Sequence, residues 1–245
     1  MSMSWLPNAL TLLRCILAFA VAGAVLQGAA VSHAVNAALA EWVAASTPPP
    51  GDPAYPRLLA ETGLVEMLTW PAIALGAFVL AALTDLFDGV AARAFHAQSA
   101  FGAWLDPIAD KLLVGLSLVA LTVAGASLWL AIPTAVILCR DVYVTWLRAR
   151  LGGGYALPVM QAAKWKTALE MIAISVLLAA PFLVFIYGSE QRPTHLLNGP
   201  FILVSLGELL GTVILWIAAA LSAWTGLRYL HAANSVSENL QNTFD

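Results

Sequence analysis

TDLFDGVAARAFHAQSAFGAWLDPIADK, residues 84–111, is the stretch on which the reading of this chain turns. It sets Asp85, Asp88, Asp106 and Asp110 between two long apolar runs, in a chain of 245 residues with only 14 aspartates and glutamates. Ionisable groups are costly at membrane depth, and where they persist they mark function. The apolar setting extends to the whole chain, which is 61% hydrophobic and 10% charged, with a mean hydropathy of +0.84. No soluble domain of this size has that balance. The expectation is an all-α integral membrane protein, a bundle of six transmembrane helices with interfacial helices, forming one domain over 1–245.

Outward from residues 84–111, apolar segments long enough to cross about 30 Å of hydrocarbon recur in both directions. The spacing predicts spans over about residues 9–27, 71–93, 102–124, 128–150, 165–187 and 202–230. Residues 28–70 are the longest break. They read as an extended non-cytoplasmic loop, with an alanine-rich stretch, the proline-rich STPPPGDPAYP and one or two interfacial helices, the last ending at Trp70 and Pro71. Residues 231–245 read as a polar, frayed tail. A cleaved leader is not expected, because no basic region precedes the first span and Arg14 interrupts it.

Basic residues near the span ends give the orientation. With the amino terminus inside, Arg93, Arg148, Arg150, Lys164, Lys166 and Arg228 face the cytoplasm, and Arg57 and Arg192 face outward. That positive-inside bias puts residues 84–111 at the cytoplasmic ends of the second and third spans. Cys15 and Cys139 lie in apolar segments with no paired or metal-ligand spacing, which suits packing roles. The net charge of −3 and the lack of a basic cluster argue against nucleic acid as a partner, and none is expected.

Asp85 and Asp88 share one helix face at a spacing of three, and Asp106 and Asp110 share another at four. The link between the two helices, residues 94–101, is short enough to make them antiparallel neighbours whose carboxylates face each other. Carboxylates packed so closely repel unless cations hold them. Hard divalent ions such as magnesium or manganese prefer oxygen ligands and leave positions open for phosphate oxygens. Gly89 and Gly102 let a ligand approach the backbone. Helix capping, or pairing with Arg93 and Lys111, accounts for one or two of the four aspartates and leaves the rest unexplained. A metal-ion transporter is the alternative from another class, and it requires carboxylates near the bilayer midplane rather than at one end of the spans.

These residues resemble the signature of the CDP-alcohol phosphatidyltransferases, D-x-x-D-G-x-x-A-R, eight residues, then G-x-x-x-D-x-x-x-D. Here it reads DLFDGVAAR, AFHAQSAF, GAWLDPIAD, with every fixed position matched. The resemblance implies a six-helix membrane fold, a homodimer, a CDP-linked lipid donor such as CDP-diacylglycerol, and one or two Mg2+ or Mn2+ ions held by Asp85, Asp88, Asp106 and Asp110. It implies that Asp110 is the general base, and that Gly89, Ala92, Arg93 and Gly102 line the nucleotide side.

LPNALTLLR is similar to the opening of the family branch that makes phosphatidylglycerophosphate, with Asn8, Thr11 and Arg14 on its polar positions, and the resemblance implies that Asn8 and Thr11 help bind the nucleotide-linked donor. QSAFGAWLDPIADKLLV, AKWKTALEM and WTGLRYL are similar to that branch as well. The fourth span departs from it, carrying Arg140 and Asp141 in CRDVYVTWLRAR, a form shared with CMP-forming cardiolipin synthases. The acceptor expected first is glycerol 3-phosphate, its phosphate met by Arg14, Arg140, Lys164 and Lys166. Positive-inside anchoring is an equal reading for Arg140, Lys164 and Lys166. Phosphatidylglycerol, inositol phosphate and serine stay open as acceptors. The resemblance implies a bacterial inner membrane location with the site on the cytoplasmic side.

Overall fold

The computed structural model describes residues 5–46, 64–95, 100–151, 161–188 and 199–244. The side chains of some helix ends, 86–95 and 100–104 among them, lie outside that description. The described residues form α1 (Trp5–Ser46), α2 (Leu64–Phe95), α3 (Ala100–Gly125), α4 (Leu128–Leu151), α5 (Gln161–Gly188) and α6 (Gly199–Phe244). Each contains a stretch long and apolar enough to cross a membrane, from 19 residues in α2 and α5 to 31 in α1. In hydrocarbon the backbone must satisfy its own hydrogen bonds, which is why every apolar run became a helix.

One face of each helix is buried, and the buried positions repeat at three and four residues. Ala18, Val21 and Val25 mark it on α1, Ala74, Phe78 and Ala81 on α2, Leu113 and Ala120 on α3, and Leu215, Ala218 and Ala219 on α6. Many of these side chains are small. Water does not drive helices together inside a bilayer, so association rests on close van der Waals approach, and alanine and glycine permit it. At Gly211 of α6 a Cβ atom would lie 2.7 Å from Leu177 Cγ of α5, so only glycine fits that crossing. The opposite faces expose Ile16, Phe19, Val123, Val142 and Ile217, which suits lipid rather than water.

The helices do not all pair in chain order. α5 lies along α6, α4 also packs on α6, and α1 packs against both α2 and α3. Among the described residues α2 and α3 make at most marginal contact with each other, so the expected antiparallel pair is not formed directly. Each packs chiefly on α1. A tight turn joins α3 to α4: Ala126 adopts φ 45° and its N–H donates to the Thr122 carbonyl at 3.0 Å. Ser127 Oγ accepts from the Trp129 N–H at 3.3 Å and caps α4.

Three boundaries differ from the expected ones. α1 does not stop near residue 27 but runs to Ser46, because AAVSHAVNAALAEWVAA contains no glycine or proline and is rich in the best helix former. α2 begins at Leu64 and passes through Pro71, so the helix expected to end there is continuous with the second span. A proline inside a membrane helix is tolerated when neighbouring groups take up the freed carbonyl. The central part of the expected outer loop, residues 47–63, lies outside the described residues. α6 continues to Phe244, since HAANSVSENLQNTF also lacks helix breakers.

Candidate active site

Towards one end of the bundle the inward-facing stripe of several helices turns from apolar to polar, and at the aspartates it opens to the exterior. On α1 the series Val25, Val21, Ala18 continues to Arg14 and Thr11, and on α2 the series Ala74, Phe78, Ala81 continues to Asp85. α3 carries Asp106 and Asp110 before Leu113, α5 carries Lys166 and Glu170 before Ala173, and α6 ends its stripe in Ser222, Thr225 and Tyr229. The same helical spacing that builds the core thus aims polar side chains into one volume.

Arg14 lies at the centre of the aspartates. It is 1% exposed, and its Nη1 donates to Asp110 Oδ1 at 2.7 Å and lies 3.1 Å from Asp85 Oδ1. Thr11, one turn earlier, donates from its hydroxyl to Asp106 Oδ1 at 2.5 Å. α1 therefore ties α2 and α3 together through their carboxylates. Asp85 and Asp110 keep about half of their side-chain surface open, 58% and 50%. Asn8 is half-buried near the start of α1. Asp88, Gly89, Ala92 and Arg93 fall on the last turns of α2 and Gly102 on the first turn of α3, and their surroundings lie outside the described residues.

The donor set can be tested against a metal. Asp85, Asp106 and Asp110 offer oxygen alone, the chemistry that hard divalent cations take. Among the described residues no three His, Cys, Asp or Glu side chains converge on one ion-sized point. Arg14 lies between Asp85 and Asp110, and the carboxylate of Asp88 is not among those described. The set therefore fits a hard divalent ion in donor type.

A cleft of about 790 Å³ opens beside these carboxylates. Arg14, Asp85 and Asp110 line one wall, and Arg140, Lys164 and Lys166 line the other. The structure thus brings four cations and two aspartates named from sequence to one space. It also shifts the meaning of Arg14, expected among the acceptor-phosphate cations, because its guanidinium is engaged with the aspartates. A second cavity of about 590 Å³ lies at the far end of the bundle, lined by Gly28, Pro71, Leu177 and Glu208. Its walls are mostly apolar and it gathers no cluster of charge, so the first cleft is the candidate site.

The cationic wall holds a compact ion network. Arg140 Nη1 meets Asp141 Oδ1 at 3.0 Å, its Nη2 donates to Thr225 Oγ1 at 3.1 Å, and its guanidinium lies 5.6 Å from the centre of the Tyr229 ring. Lys166 Nζ meets the same Asp141 oxygen at 2.5 Å and Glu170 Oε1 at 3.1 Å. Lys166 and Glu170 are 3% and 2% exposed, so this lysine is no surface anchor. Lys164 is exposed at the mouth. Lys111, next to Asp110, bonds to Thr145 on α4.

Sequence reasoning named Arg140 and Lys166, singled out Asp141 beside Arg140 without giving it a role, and missed the partners Glu170, Thr225 and Tyr229. One signal was present: Lys166 and Glu170 stand four apart inside an apolar helix, where an unpaired charge is costly.

A sequence model of the CDP-alcohol phosphatidyltransferase family matches residues 57–224. That range holds both aspartate pairs and the cationic wall, while Thr11 and Arg14 precede it. A relative from Cereibacter sphaeroides is 38% identical over 203 residues, covering 72% of this chain and 91% of the relative. One from Sodalis glossinidius is 34% identical over 159 residues, covering 64% and 75%. One from Escherichia coli strain K12 is 33% identical over 172 residues, covering 69% and 82%. All three carry the name CDP-diacylglycerol–glycerol-3-phosphate 3-phosphatidyltransferase.

Proposed function

The chain belongs to the CDP-alcohol phosphatidyltransferase family, and from that premise we propose that it transfers the phosphatidyl group of CDP-diacylglycerol to glycerol 3-phosphate, giving phosphatidylglycerophosphate and CMP. The observation that carries this reading is the shared cleft, with Asp85 and Asp110 on one wall and Arg140, Lys164 and Lys166 on the other. A pyrophosphate suits the first wall and the free phosphate of the acceptor suits the second. The names of the relatives support the same acceptor.

In this reaction the acceptor hydroxyl attacks the phosphorus that carries the diacylglycerol. A new phosphorus–oxygen bond forms as the bond to the bridging oxygen of CMP breaks, and the hydroxyl proton passes to the Asp110 carboxylate. The family is divalent-metal dependent. When bound, Mg2+ or Mn2+ held by Asp85, Asp88, Asp106 and Asp110 supplies charge neutralisation at the phosphoryl group under attack. Arg14 holds Asp110 and Asp85 in register, and Thr11 fixes Asp106. Arg140, Lys164 and Lys166 orient the acceptor so that its hydroxyl faces Asp110, the positioning on which phosphoryl transfer chiefly depends. Gly89, Ala92, Arg93 and Gly102 serve the nucleotide side, and Asn8 and Thr11 contribute to donor binding.

We read the protein as a homodimer in the bacterial cytoplasmic membrane, with the polar end of the bundle towards the cytoplasm. The excess of basic residues at that end supports the orientation. One assay tests the whole reading: purified protein in lipid, labelled CDP-diacylglycerol, and glycerol 3-phosphate, phosphatidylglycerol, inositol phosphate or serine supplied separately. CMP release with glycerol 3-phosphate is the expected result, and release only with another acceptor reassigns the substrate. A chelator is expected to abolish turnover and added magnesium or manganese to restore it. Full activity in the chelator removes the metal role of the aspartates.

A further inference from the structure

The cationic wall contains one carboxylate that differs from the rest. Arg140 and Lys166 come from different helices, yet both reach the same oxygen, Asp141 Oδ1, at 3.0 and 2.5 Å. Each cation also has a partner of its own. Lys166 keeps Glu170, whose side chain is 2% exposed, and Arg140 keeps Thr225 and the face of Tyr229, both buried. Asp141 is the shared partner, and at 19% it is more open than Arg140, Lys166 or Glu170.

Its pairing with Arg140 is also not the one helix geometry offers by default. Neighbours in sequence point about 100° apart around a helix axis and do not face each other. Arg140 and Asp141 both lean into the cleft to meet, at a point that the cations rather than the helix define.

Building on the acceptor reading given above, we infer that the Asp141 carboxylate holds the position of the acceptor's phosphate and is exchanged for it on binding, which makes Asp141 a specificity-determining residue. A carboxylate oxygen between a guanidinium and an ammonium has the surroundings that a phosphate oxygen takes. Because Glu170, Thr225 and Tyr229 remain, releasing Asp141 leaves neither cation stranded. Only a group that competes with a tethered carboxylate enters. A phosphate monoester carries close to two charges and several acceptor oxygens at neutral pH, whereas a phosphodiester carries one and a neutral alcohol none. Asp141 therefore sets a charge threshold for the acceptor.

The test is Asp141→Asn, which keeps size and removes the charge, with Asp141→Ser as a second variant. A self-occupied site weakens apparent affinity by the fraction of time it stands open, so the KM for glycerol 3-phosphate is expected to fall about five- to tenfold in Asp141→Asn. The KM for CDP-diacylglycerol stays constant, and inhibition by inorganic phosphate tightens in parallel. A carboxylate that merely braces the two cations gives the opposite sign, a raised KM, and a raised or unchanged KM overturns the exchange. If neither variant yields folded protein, Asp141 is an obligatory brace and the exchange is wrong. Binding of inorganic phosphate, followed by calorimetry without turnover, separates this inference from the acceptor assignment. A wild type inactive with glycerol 3-phosphate, beside an Asp141→Asn protein that binds phosphate more tightly, sinks the acceptor and keeps the exchange.

Discussion

Asp110→Asn is expected to lower the rate of CMP release by about 10²- to 10⁴-fold, the contribution of a positioned general base. The substitution is chosen because it changes little else. The amide oxygen still accepts from Arg14 Nη1, which now meets Asp110 Oδ1 at 2.7 Å, so the link between α1 and α3 survives. Thr11 continues to hold Asp106. What disappears is a group able to take a proton from the acceptor hydroxyl, together with one anionic ligand for the divalent ion. The loss is expected in kcat, with binding of CDP-diacylglycerol retained, which single-turnover measurements with prebound donor read directly. Asp106→Asn offers the contrast, because it weakens a metal ligand without removing the base, so its defect should recede as magnesium is raised while that of Asp110→Asn persists at saturating magnesium. An Asp110→Asn protein that releases CMP at the wild-type rate removes Asp110 as the base.

The sequence made the chemistry more legible than the packing. Hydropathy located six spans and the aspartates within them, because both signals are local: a span is a run of apolar residues, and a carboxylate in such a run is conspicuous. Which helices touch is not local. The short link over residues 94–101 suggested that α2 and α3 pack side by side, yet among the described residues each packs chiefly on α1. Packing in a bilayer depends on small residues such as Ala18, Ala74 and Ala81 meeting across helices, and one sequence carries no record of which alanines meet.

Arg14 illustrates the same limit. Its charge marked it as functional, but its partners, Asp85 and Asp110, are 71 and 96 positions away in the chain. The roles of Asp141 and Glu170 were obscured for a different reason. Each stands near a basic residue in sequence, which is also the ordinary pattern of a solvated helix end, and the ion pairs across α4 and α5 reveal that these residues enclose a site.

Arg14→Met is expected to damage fold and activity together. The methionine matches much of the arginine's length and suits the surrounding apolar stripe of Ala18 and Val21, so packing loss is small and charge loss dominates. Without the guanidinium, Asp85 and Asp110 are left with no cation between them. Removing one member of a buried ion pair costs about 3–5 kcal/mol when the partner stays desolvated. Here the two carboxylates are 58% and 50% exposed, so water relieves part of that cost and about 2–3 kcal/mol is the expected loss. Thermal melting in detergent reads it. Activity should fall by at least about 10²-fold, the penalty for a reacting group displaced by an ångström or so. Arg14→Lys tests the geometry rather than the charge. A single ammonium keeps the positive charge but lacks the planar fork, so stability should return in large part while turnover does not. Divalent ions add a third reading. If Arg14 shares with a metal the task of holding these carboxylates together, magnesium should stabilise Arg14→Met more than it stabilises the wild type. An Arg14→Met protein that melts and turns over like the wild type would show that the aspartates hold their positions without α1, and the positioning role assigned to Arg14 would be lost.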